Sequence, residues 1–153
     1  LPWILAAVGC MTGGAISDYL VSRIGLNWGR RLVPLIGLSL SGVLMLATVY
    51  TPNNTQAVIY LALGMAFMDV TAPVAWAVAT DLGGKASGAF TGAMNTAGLL
   101  GGTVTSIGVG YLITSFKSYD LPVIILGITL IVGGLLWFLI KADERADTTS
   151  VAP

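Results

Sequence analysis

The sequence predicts an all-α membrane protein with five transmembrane helices. Three observations carry this. First, 56% of the 153 residues are hydrophobic and only 9% are charged. A soluble domain carries about 25% charged residues, so this chain has too few polar groups to cover a water-facing surface. Second, apolar runs near the roughly 20 residues needed to cross a bilayer recur along the whole chain, separated by short connections rich in turn residues. Third, Arg23, Arg30, Arg31, Lys85, Lys141 and Arg145 fall on one side of the alternating spans and only Lys117 on the other, a positive-inside pattern.

The spans follow in order, and residues 1–140 form one membrane domain. The first covers about 1–16. Asp18, Arg23, Arg30 and Arg31 then make 17–31 a cytoplasmic loop, because a reversing segment needs charge to stay out of lipid. The second span is 32–50. Pro52, Asn53 and Asn54 mark a turn after it; Asn53-Asn54-Thr55 reads as that turn rather than as a used glycosylation sequon. The third span covers about 56–80, interrupted by Asp69 and bent by Pro73, which removes a backbone hydrogen bond. Gly83, Gly84 and Lys85 connect it to the fourth, 87–114, which is rich in glycine. The fifth is 121–140, and 141–153 is a polar cytoplasmic tail. Connections this short make neighbouring spans antiparallel. Leu1 lies in an apolar run with neither Met nor a basic leader before it, so the chain is expected to be a fragment of a longer protein.

Composition also excludes. The formal net charge is zero, which removes any bulk electrostatic case for a nucleic-acid partner. There is no histidine, so His-based triads and most zinc sites are absent, and neither a metal nor a cofactor is implied. The single Cys10 has no internal disulfide partner and is expected to be a buried, inert residue. An intramembrane aspartyl protease needs two carboxylates on facing spans, and only Asp69 lies inside one. The chain is therefore not read as an enzyme.

Several residues point to a lined cavity. On the fourth span Thr91, Asn95, Gly98, Gly102 and Ser106 share one polar-or-small face. A neutral amide is costly in lipid, so Asn95 is expected to face protein or water. It lies eight residues beyond Ser87, about 12 Å at 1.5 Å per residue, close to the depth where transporter sites lie. Its amide donates and accepts, which suits a hydroxyl or a carboxylate; an interhelical hydrogen bond is the plainer reading. On the third span Asp69, Pro73, Trp76 and Thr80 share a face. Trp76 offers a flat wall and one N–H donor, or serves as an interfacial anchor near Asp81. Asp69 must face a cavity, be protonated or meet a cation, either coupling proton movement or holding structure by hydrogen bonds. Gly88, Gly92, Gly98 and Gly102 lie four apart in two pairs, a pattern for close helix packing and for a moving interface.

Gly13, Ser17, Asp18, Arg23, Gly25, Arg30 and Arg31 fit the pattern Gly-x-x-x-(Ser/Ala)-Asp-x-x-x-x-Arg-x-Gly-x-x-x-x-Arg-(Arg/Lys), and with Gly14 they resemble the loop motif of the major facilitator superfamily. Trp76, Asp81, Lys85, Gly88, Gly92, Asn95, Gly98, Gly101 and Gly102 are similar to the tenth and eleventh spans of that superfamily's anion:cation symporter branch. Gly83-Gly84-Lys85 departs from the branch, whose short loop usually holds a proline and a basic residue. The resemblance covers essentially the whole chain and implies the C-terminal half, spans eight to twelve, of a twelve-helix fold. It implies a symporter of small organic anions, hexuronate, aldonate or aldarate in type, usually coupled to protons and set in the plasma (inner) membrane. It implies Trp76 and Asn95 as substrate-binding residues, and Thr91, on the Asn95 face of the same span, is expected to join them. Gly14, Asp18, Arg23, Gly25, Arg30 and Arg31 would form a conformational-switch loop, and the missing N-terminal half would be the partner that supplies the arginine for the substrate. The alternative is a self-contained five-span scaffold or channel subunit acting as an oligomer.

Overall fold

A computed structural model describes residues 2–142. Of the expected tail only Lys141 and Ala142 are among the described residues, and Arg145 lies outside them. The described chain is helical almost throughout, as backbone amides in hydrocarbon require. Helix α1 is Pro2–Ile24, α2 Leu26–Tyr50, α3 Asn54–Asp69, α4 Thr71–Gly83, α5 Ser87–Phe116 and α6 Asp120–Leu136. Single 3₁₀ turns follow α4 at Gly84–Ala86 and α6 at Trp137–Leu139.

The expected loop over 17–31 is not a loop. Helices α1 and α2 run through it and leave only Gly25 between them, at φ 87°, where an L side chain is strained. Its N–H still bonds the Val21 carbonyl at 3.1 Å. Of the charges that suggested a loop, Asp18 and Arg30 pair with each other, Arg31 meets the Ile140 carbonyl and Arg23 lies over the Tyr19 ring, so they are accommodated without breaking the helices.

The expected third span is two helices. Pro73 stands at the third position of α4, where its ring displaces the carbonyl four residues back, that of Asp69. The helix breaks there, at Asp69 and Val70. Asn53 does make the expected turn: its side-chain oxygen accepts the Thr55 N–H at 2.9 Å and caps α3.

Four helical stretches are long and apolar enough to cross a membrane: Trp3–Ile24, Leu26–Tyr50, Asn54–Phe116 and Asp120–Leu139. The third has 63 residues, about 95 Å if straight, three times the roughly 30 Å hydrocarbon core. It folds back at Gly84, which takes φ 48°. A Cβ on Gly83 would meet the Phe90 side chain at 3.2 Å, so α4 and α5 lie side by side and antiparallel.

Helix α2 is central, packing against α1, α3 and α6. Helices α1 and α3 touch backbone to backbone, since a Cβ on Gly9 would overlap the Ala66 carbonyl, and the contact continues to the break, where one on Gly13 would overlap the Val70 carbonyl. The buried cluster of Val33, Val74, Val78 and Ala142 joins the N-terminal third of α2 and the first two turns of α4 to the segment that follows α6. Helix α5 is peripheral and has no buried residue. Cys10, expected to be buried, is exposed on α1. Apolarity in a membrane helix selects lipid or protein equally, and so does not imply burial in protein.

Candidate functional site

Two groups of residues emerge, one at the charged end of the bundle and one on the side of the α4–α5 pair.

At the charged end a single guanidinium joins three helices. Arg30, near the start of α2, donates from one terminal nitrogen to Asp18 Oδ1 of α1 at 2.8 Å and to Ser17 Oγ at 3.1 Å. Its Nε donates to Asp81 Oδ2 of α4 at 3.3 Å. Ser17, fully buried, donates its own hydroxyl to the Gly29 carbonyl at 3.2 Å. The Arg30 side chain is 12% exposed, against 71% for Asp18 and 32% for Asp81. The arginine is thus held in the protein while the outer carboxylate remains wet. Arg31 acts one residue on: its Nε donates to the Ile140 carbonyl, capping the end of the α6 segment, where carbonyls lack helical partners. Trp28 packs edge-on against Phe138 beside it, with ring centroids 6.4 Å apart.

The expected switch residues therefore divide. Asp18 and Arg30 come together, Arg31 holds a different helix, and Gly25 is the link between α1 and α2. Gly14 is in ordinary contact with Pro73 of α4, at 3.6 Å from a built Cβ. Arg23 stays outside the cluster, its guanidinium over the Tyr19 ring at 5.4 Å from the centroid. Ser17 as a bridging hydroxyl and Asp81 as a second carboxylate were not assigned from the sequence. The available signal was topological: Asp81 ends a span on the same side as Arg30.

The second group flanks the contact between α4 and α5. Ala75, Ala79 and Leu82 of α4 face Phe90 and Met94 of α5 across one crevice. Trp76 and Thr80 each stand one residue beyond a contact residue of α4, and Thr91 and Asn95 one residue beyond those of α5. One residue is a turn of about 100°. Because the helices are antiparallel, that turn carries both sets to the same side of the pair. Their depths also match: Trp76 is seven residues before Gly83, and Asn95 eight after Ser87, about 10 and 12 Å from the turn.

Trp76 is 48% exposed. The Thr91 hydroxyl donates to the Ser87 carbonyl at 2.8 Å, which leaves its oxygen free to accept. The Asn95 side chain is exposed and makes no hydrogen bond among the described residues. Asp69 ends α3, half-buried, with no ion pair among the described residues. No described atom lies within 4 Å of a Cβ built on Gly88, Gly92, Gly98 or Gly102. The described residues contain no group of three carboxylate or thiol side chains able to hold a metal ion.

A bundle of helices long and apolar enough to cross a membrane, with a charged clasp at one end, describes a membrane protein. The profile of the Major Facilitator Superfamily matches residues 2–153, and the chain belongs to that family. It is 38% identical over 136 residues to a protein of Cupriavidus necator named probable sulfoacetate transporter, covering 88% of this chain and 32% of that one. It is 30% identical over 146 residues to the hexuronate transporter of Bacillus subtilis, covering 90% of this chain and 32% of that one. It is 27% identical over 147 residues to the probable galactarate/D-glucarate transporter GarP of Escherichia coli, covering 95% and 33%. The chain thus spans about a third of the length of these relatives. The family and the named relatives are transporters, not enzymes, and the chain is an integral membrane segment.

Proposed function

We propose that this chain forms the last five spans of a twelve-span secondary transporter that moves a small organic anion, of hexuronate, aldonate or aldarate type, together with protons. The five crossings are α1, α2, the α3–α4 pair, α5 and α6. The arginine-rich ends of α1 and α2 face the cytoplasm of a cell with this protein in its plasma (inner) membrane, and the tail at 141–153 lies on the same side. Transport proceeds by alternating access, the two halves of the fold rocking about a midplane site. The missing N-terminal half is the partner.

In this reading Asn95, Trp76 and Thr91 line one wall of the cavity. The Asn95 amide both donates and accepts, and so holds a substrate hydroxyl or carboxylate. The indole of Trp76 gives a flat wall with one N–H donor, and the free lone pairs of Thr91 accept a hydroxyl. No Lys or Arg lies midway along any of these spans, so the cation that meets the substrate anion comes from the other half. Asp69 serves as a proton-coupling or structural carboxylate. At the charged end Arg30, shared between Asp18 and Asp81, latches α1, α2 and α4 in one state of the cycle. The Gly88, Gly92, Gly98 and Gly102 face of α5 packs against spans outside this chain and slides during rocking.

The observation that carries this reading is the unpaired Asn95 amide at the same depth and on the same side as Trp76. Asn95→Ala in the full-length protein should abolish uptake of labelled galactarate, hexuronate or sulfoacetate while membrane insertion stays intact. Normal uptake by the inserted variant would remove Asn95, and with it this wall, from the site.

A further inference from the structure

An apolar groove of about 260 Å³ runs along the outer side of α1 and α2, walled by Thr12, Ile16, Leu20, Leu32 and Ile36, with Phe67 of α3 among its lining. Its one polar wall residue contributes little polarity, because the Thr12 hydroxyl already donates to the Val8 carbonyl of its own helix at 2.8 Å. Thr12, Ile16 and Leu20 are spaced by four, and three residues further the same face of α1 carries Arg23. Arg23 is exposed, makes no ion pair among the described residues, and rests on the Tyr19 ring. From Thr12 to Arg23 is eleven residues, about 16 Å along the helix. One leaflet of a hydrocarbon core about 30 Å thick is about 15 Å deep. On α1 the groove wall itself, Thr12 to Leu20, is about 12 Å long; with Arg23 about one turn beyond it, wall and cation together span the depth of one leaflet, and the arginine and the Tyr19 ring stand at the level where a headgroup would sit.

We infer that this groove binds an anionic phospholipid, with one acyl chain between α1 and α2 and the phosphate on Arg23. The inference rests on the membrane placement of α1 and α2 and not on the proposed substrate or transport cycle. Arg23 is the one arginine of its motif outside the Arg30 clasp and without a backbone carbonyl partner. A lipid phosphate supplies what Arg30 obtains from Asp18 and Asp81. The site would tie α1 to the bilayer on the side where it leaves the clasp.

The test uses purified full-length protein titrated with phosphatidylglycerol or phosphatidylcholine of identical acyl chains, with bound lipid counted by native mass spectrometry. The wild type should prefer phosphatidylglycerol by about fivefold, the factor for one basic side chain at an anionic headgroup. Arg23→Gln should abolish the preference and Arg23→Lys should retain it. Ile36→Trp, at a groove position 58% exposed and thus free of core overlap, should lower retention of both lipids. An unchanged preference in Arg23→Gln, or unchanged retention in Ile36→Trp, overturns the site. Failure of Ile16→Cys, placed in a Cys10→Ser background because the natural thiol is exposed, to react with a membrane-soluble maleimide in the lipid-stripped protein would also overturn it, by showing that another span fills the groove.

Discussion

A guanidinium carries its donors in one rigid plane, and Arg30 directs three hydrogen bonds across helix boundaries from that plane. Lysine offers the same charge but not the fork. Arg30→Gln leaves both carboxylates and the buried Ser17 hydroxyl without their donor. It is expected to destabilise the full-length protein by about 1.5–3 kcal/mol, the range for hydrogen bonds to charged groups. Arg30→Lys should recover only part of that. An unchanged melting temperature for Arg30→Gln in detergent would show the clasp to be a bystander. The two arms differ in weight: Asp18 is mostly in water, so its pair is screened, whereas Asp81 is the more enclosed partner. A double-mutant cycle of Arg30→Gln with Asp81→Asn should give coupling of about 1 kcal/mol, and zero coupling would detach Asp81 from the cluster. Asp18 and Arg30 were legible in the sequence because their spacing is local and patterned. The Asp81 arm was not, because it joins residues 51 positions apart through the packing of α4 on α1 and α2.

At the scale of elements, the all-helical, apolar character was legible from hydropathy, whereas the continuity of α1 and α2 through 17–31 and the break of the third expected span were not. Charge at 17–31 suggested a loop because charge avoids lipid; α1 and α2 run through it by pairing Asp18 with Arg30, placing Arg31 on the Ile140 carbonyl and Arg23 on the Tyr19 ring, and one glycine suffices for the turn. The break at Val70 follows from Pro73, which the sequence announced as a bend without its exact place. Glycines therefore divide by what they meet. Gly13→Val puts a side chain into the Val70 backbone, which cannot rotate away, and should cost about 3 kcal/mol or more. Gly25→Ala meets nothing within 4 Å and suffers only its backbone conformation, φ 87° and ψ 164°, a region essentially reserved to glycine, about 1–3 kcal/mol. Thermal denaturation of the two variants in one detergent should rank Gly13→Val below Gly25→Ala. The reverse order would mean that the α1–α3 contact is looser than its backbone approach indicates.

For the whole molecule, the decisive element is α5. It has 30 residues, about 45 Å of helix, enough to cross the hydrocarbon core with length to spare. Yet it buries none of them, and among the described helices it packs chiefly against α4 and only lightly against α6. A long, largely apolar helix with no buried residue belongs in lipid or against further protein, and the relatives are about three times as long as this chain. If α5 crosses, the two ends of the helix lie on opposite sides of the membrane. Lys85 and Lys117 flank it and both are exposed. In a full-length protein with Cys10→Ser, needed because the natural thiol is exposed, Lys85→Cys should react with an impermeant maleimide only after the cytoplasmic face is opened. Lys117→Cys should react in intact cells. Labelling of both from one side would mean that α4 and α5 form a re-entrant hairpin. It would reduce the crossings below five and separate Trp76 and Asn95 from any midplane site, because their common depth is measured from the turn at Gly84.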